Sequence, residues 1–172
     1  MKPVHIYLIL MSLFFLLIVS TPFIYMYSPP IGAVMYSIFS PFCHQITERS
    51  LCVYPNLGYI ADCTGGEAYK FPVCSRCLAF YAGMLIGGIV YWFANRKGYT
   101  FSKLPLWILI LLILPMAVDG SLQYLGFWGS TNMIRMLTGF PAGFVVPFYL
   151  LSILEEIKRK RKDKKGTNRK NN

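Results

Sequence analysis

Residues 73–97, VCSRCLAFYAGMLIGGIVYWFANRK, decide the fold. From Val73 to Phe93 the run is apolar except near its start, and about 20 such residues in a helix cross the hydrocarbon core of a bilayer. It opens on a Cys-x-x-Cys pair, Cys74 and Cys77, and closes on Asn95-Arg96-Lys97. Lys and Arg collect at the cytoplasmic ends of spanning helices, so the stretch carries its own orientation, with cysteines outside and Arg96 and Lys97 inside. Gly83 and Gly87 lie four apart on one face, where small residues let a second helix come close.

Three further apolar runs flank it: Val4–Tyr27, Leu104–Leu125 and Met133–Leu154. No small-x-small cleavage site follows the first (Ser28-Pro29-Pro30 comes next), so it is expected to stay as a helix and not be removed as a signal peptide. Pro29–Phe42 is too short to span and reads as an interfacial or re-entrant helix. Pro105 falls in a first turn, where a missing N–H costs little. Pro115 and Pro141 interrupt the last two runs, each freeing a carbonyl that in lipid needs an internal partner or water. Gly139 and Gly143 repeat the spacing of Gly83 and Gly87. The expected fold class is an all-α membrane protein. It has a bundle of about four transmembrane helices (4–27, 73–93, 104–125, 133–154), a short interfacial helix and an extracytoplasmic Cys-containing loop within residues 28–72.

Composition agrees. The chain has 172 residues, 55% of them hydrophobic and 14% charged, with a mean hydropathy of +0.49; a soluble domain needs more surface charge. The net charge of +10 suggests nucleic acid only until it is located. Nine basic residues lie between Lys158 and Lys170, directly after an apolar run. They read as a topology signal and a contact for anionic lipid head groups. No aromatic or helix-turn-helix pattern accompanies them, so nucleic acid is not an expected partner. With Arg96, Lys97 and Lys103 inside as well, both termini are placed in the cytoplasm and the cysteine-rich loop outside the plasma membrane. The tail, 158–172, is read as disordered.

Four clusters carry chemistry, and this topology brings them to the outer end of the bundle: Cys43-His44-Gln45 with Arg49; Cys74-Ser75-Arg76-Cys77 with Tyr81; Asp119 with Gln123; and Asn132 with Arg135. Ionisable groups near a helix end in lipid are costly unless paired, and are functional candidates by default. Asp119 and Arg135, on adjacent antiparallel helices, are expected to pair, with Gln123 and Asn132 completing a network that is either structural or catalytic. Cys43, His44, Cys74 and Cys77 supply thiolate and imidazole ligands suited to zinc. Neighbouring side chains rarely both reach one ion, so His44 is either a ligand or a group beside the metal. Alternatively, Cys-x-x-Cys at a helix N-terminus beside Arg76 has a stabilised thiolate and could exchange disulfides in an oxidising compartment. The plan is similar in architecture to quinone-linked disulfide-generating membrane enzymes. Five cysteines allow two assignments. Cys52–Cys63 leaves a metal-binding trio, whereas Cys43–Cys52 and Cys74–Cys77 leave Cys63 alone; counting favours the first. The expected functions are a metal-dependent hydrolase or transferase or a metal-handling protein, with a thiol-disulfide oxidoreductase or a metal-stapled scaffold as alternatives. Arg76 and Arg135 would hold an anionic group.

The string Phe42-Cys43-His44-Gln45 with Arg49-Ser50, Pro72-Val73-Cys74-Ser75-Arg76-Cys77 with Tyr81 and Gly83, then Pro115-Met116, Asp119-Gly120, Gln123, Ser130, Asn132, Arg135 and Thr138-Gly139 resembles an uncharacterised family of small bacterial and archaeal polytopic membrane proteins. The resemblance covers roughly Phe42 to Gly143. It implies that Cys43, Cys74 and Cys77 belong to a shared core and that Cys52 and Cys63 are additions in this chain; it implies no particular reaction.

Overall fold

The computed structural model describes residues 3–55, 59–63, 68–99 and 105–170, with side chains as far as Arg161. Four helices are long and apolar enough to cross a membrane: α1 (Pro3–Tyr27), α3 (Ser75–Arg96), α4 (Leu106–Tyr124) and α5 (Asn132–Lys170), with the short α2 (Pro29–Phe39) between the first two. Two prolines start α2, where fixed φ and a missing N–H suit a first turn. Lys103 and Leu104, which the sequence reading uses, lie outside the described residues.

The α3–α5 pair is the spine of the bundle, and glycine explains it. A Cβ at Gly83 would strike the Phe140 carbonyl oxygen and one at Gly87 the Phe144 carbonyl oxygen; reciprocally, one at Gly143 would strike the Phe80 carbonyl oxygen. Lipid tails are as apolar as leucine, so helices in a bilayer gain little from hydrophobic contact and rely on such close packing. α1 lies against α3 through two clusters. Val4, Tyr7, Tyr91, Phe148 and Leu151 pack near the Arg96 end, and Ile18, Phe39, Phe71 and Val73 near the Cys74 end. Tyr7 donates to the Met84 carbonyl at 3.0 Å. α4 rests chiefly on α5 and buries a single side chain, that of Asp119.

Two features differ from the sequence reading. The segment after α2 is a small antiparallel sheet of order β2-β1-β3, with β1 at Leu51–Tyr54, β2 at Tyr59–Asp62 and β3 at Tyr69–Lys70. Leu51-Cys52-Val53-Tyr54 alternates buried Cys52 and Tyr54 with half-buried neighbours, the period of a strand covering a core. Cys52 and Cys63 form a disulfide that closes the β1–β2 hairpin. Within the basic stretch, where disorder was expected, α5 is helical as far as Lys170. Lys, Arg and Glu are good helix formers, and Glu156 and Lys160 pair at 2.8 Å one turn apart.

Candidate metal site and the arginine cavity beside it

Two segments deliver the three thiols. Cys74 occupies the N-cap position of α3, and Cys77 follows one turn on. Cys43 arrives from the end of α2, its amide bonded to the Phe39 carbonyl at 3.2 Å. The chain then turns sharply at Gln45, whose φ of 54° lies in the left-handed region that costs a non-glycine residue energy. Two long-range bonds hold that turn: Gln45 Nε2 donates to the Tyr36 carbonyl at 2.6 Å, and Lys70 Nζ to the Gln45 carbonyl at 3.0 Å. Such a conformation persists only where its surroundings fix it, and here it aims Cys43 at α3.

The sulfurs of Cys43, Cys74 and Cys77 all lie within 4.8 Å of one another, and all three thiols are free. The Cys74 amide donates to Cys43 Sγ at 3.2 Å. Hydrogen bonds from the Cys74 and Cys77 thiols, joined by the amides of Gln45 and Cys74, hold the Cys43 thiol well below its ordinary range against the opposing effect of burial. Cys74 shifts the other way, raised first by its bond to Cys43 and further by burial. Three thiolates this close would repel one another, and a cation between them would offset that repulsion. Zinc with bonds of about 2.3 Å to sulfur has ligands about 3.8 Å apart, which suits this spacing.

His44 does not join the three. It is exposed and lies outside their 4.8 Å neighbourhood, at the wall of the adjoining cavity. Successive side chains around a tight turn diverge, so the turn that aims Cys43 inward carries His44 away.

The expected Asp119–Arg135 pair is replaced by another. Arg76 Nη2 pairs with Asp119 Oδ2 and donates to Gln123 Oε1 at 3.3 Å. Glycine again clears the way: a Cβ at Gly139 would lie 3.3 Å from Arg76 Cγ, and one at Gly120 3.4 Å from its Nη1. The guanidinium thus passes across α5 to reach α4.

Arg135 instead donates to Asn132 Oδ1 at 2.9 Å, and Asn132 is a hub. Its Oδ1 also accepts from Ser75 Oγ at 2.7 Å, while its Nδ2 donates to Asp62 Oδ1 at 2.8 Å and the Ser50 carbonyl at 3.3 Å. Ser75 also donates to the Arg49 carbonyl at 3.1 Å. Asn132 therefore ties the sheet to α3 and α5. Its amide oxygen and nitrogen are each engaged in two of these bonds.

A cavity of about 390 Å³ joins these groups. The three thiols stand on one side, with Arg49, Arg76 and Arg135 around them and Gln123 beyond; no described carboxylate lines it. Arg49, Ser50, Asp62 and Ser75 are functional or supporting residues that sequence reasoning did not rank as site residues. Arg49 stood in a cluster with Cys43, a signal that could have promoted it.

The whole is a helical membrane protein with a thiol cluster and a cationic cavity at one end. Residues 64–149 match the family described as predicted membrane protein DUF2085. An uncharacterised protein of Methanocaldococcus jannaschii is 37% identical over 127 residues, covering 74% of this chain and 72% of the relative. One from Methanothermobacter thermautotrophicus is 33% identical over 101 residues, covering 59% and 77% respectively. The chain belongs to the DUF2085 family. No solved structure matches it significantly.

Proposed function

We propose that the protein holds a zinc ion between Cys43, Cys74 and Cys77 on the extracytoplasmic side of the cell membrane, and uses it in hydrolysis or group transfer at the membrane surface. The observation that carries this reading is three free thiols within 4.8 Å of one another, assembled from two chain segments. Cys43, Cys74 and Cys77 would hold the ion, and zinc bound there would supply Lewis-acid chemistry. The protein's own groups supply the rest. The arginines hold an anion beside the sulfurs, and His44 stands exposed at the cavity wall. Thiol-disulfide exchange has less support, because Cys52 is bonded to Cys63 and leaves Cys43 without that exchange partner.

Protein purified in detergent without chelator is expected to contain about one zinc per chain by elemental analysis, with Cys74→Ser losing it and His44→Ala keeping it. A metal-free wild type whose Cys74 and Cys77 cycle between thiol and disulfide overturns the assignment.

The orientation rests on Arg96, Lys97 and the basic end of α5, which favour the cytoplasm and can lie against anionic head groups. After mild reduction of intact cells, a membrane-impermeant maleimide is expected to label Cys63, the half-buried residue of the pair; labelling of Cys63 only after the cells are opened reverses the orientation.

A further inference from the structure

The arginine cavity is overprovided with positive charge for a purely structural role. Three guanidinium groups line it, and the described carboxylate nearest in function, Asp119, engages only Arg76. Arg49 makes no side-chain hydrogen bond or ion pair with any described residue. Arg135 is 5% exposed, yet its Nε has no hydrogen-bond partner among the described residues; the same holds for Nε of Arg76 and for Oδ1 of Asp119. A buried donor left unpaired costs more than the bond it could form, so such atoms mark a place for an acceptor. Planar guanidinium forks match the oxygens of a phosphate, with one N–H for each oxygen edge.

A second cavity shows what the phosphate is attached to. Along α4, an open groove of about 650 Å³ is lined by Ile113, Met116, Ala117 and Leu125, and it shares Arg76 and Tyr124 with the arginine cavity. A polar head site that runs into an apolar groove on a membrane-facing helix has the shape of an amphiphile. We propose that the cavity binds the phosphate of a membrane lipid, held by Arg49, Arg76 and Arg135, with the lipid's hydrocarbon chain lying in the groove on α4. This deepens the reading of the thiol cluster as a site acting at the membrane surface: it names the substrate class. It depends on that reading for the reaction but not for the binding.

The test is native mass spectrometry of the detergent-solubilised full chain, offered dioleoyl phosphatidic acid, dioleoylglycerol or inorganic phosphate, with zinc measured on the same samples. Wild type is expected to retain phosphatidic acid and to release dioleoylglycerol. Arg49→Gln, which removes a guanidinium with no protein hydrogen bond to lose, is expected to weaken retention about tenfold, the loss of one charge-assisted bond, with zinc content unchanged. Ala117→Trp, filling the groove away from the arginines, is expected to release the lipid as well. Equal retention by wild type and Arg49→Gln, or of dioleoylglycerol and phosphatidic acid, overturns the proposal. Inorganic phosphate held as tightly as the lipid assigns the cavity to a free anion and overturns the lipid half. Lipid bound by a protein without zinc would refute the metal reading alone.

Discussion

Truncation of Asp119 to alanine is expected to lower stability by about 3–5 kcal/mol, because it leaves Arg76 charged and largely buried with no counterion. Both partners are shielded, with side-chain exposures of 15% for Arg76 and 7% for Asp119. Gln123 Oε1 remains as an acceptor at 3.3 Å, but a neutral amide cannot replace a carboxylate. The larger question is whether the pair exists for stability at all. Replacing a buried ion pair by apolar groups of similar volume is often neutral or favourable, whereas breaking it is not. The double variant Arg76→Met/Asp119→Leu is therefore expected to recover most of the lost stability in detergent unfolding titrations while losing phosphatidic acid. Recovery of both, or of neither, would show the pair to be no more than a fastening between α3 and α4.

Gly143→Leu is expected to push α3 and α5 apart and to abolish the folded monomer in thermal size-exclusion assays. Even the Cβ of alanine would come within 2.7 Å of the Phe80 carbonyl carbon and 2.9 Å of its Cα. Both are backbone atoms and cannot turn aside. Overpacking costs about 1–3 kcal/mol where side chains can shift, so alanine here is expected at or above that range and leucine well beyond it. Gly129 provides the contrast, since nothing lies within 4 Å of an added Cβ there. Gly129→Ala is expected to unfold within a degree or two of wild type. Equal effects at the two positions would mean that close helix contact does not hold this bundle.

Much of this architecture was legible in the sequence because lipid simplifies the rules. Long apolar runs and the Lys/Arg distribution mark the spans, and the four-residue glycine spacings mark the contact between α3 and α5 that the structure shows. Counting cysteines was enough to favour Cys52–Cys63. The side-chain partners were not legible. Arg76 and Arg135 both lie within reach of Asp119 by topology, and the structure pairs it with Arg76; helical spacing does not distinguish the two. The sequence left His44 open as a ligand or a neighbour of the site, because whether the residue after Cys43 points with it or away depends on the left-handed turn at Gln45, and nothing in glutamine announces positive φ. The sheet escaped notice because strands of two to four residues are too short to show a period.

α4 buries only Asp119 along its 19 residues. Lipid can replace most of its apolar contacts at little cost, so what seats this helix is largely electrostatic. At its other end, among the described residues, the Tyr149 hydroxyl donates to the Pro105 carbonyl at 2.7 Å. An oxyanion that drew the Arg76 guanidinium away from Asp119 would weaken the tie that seats α4, the helix that also forms one wall of the groove.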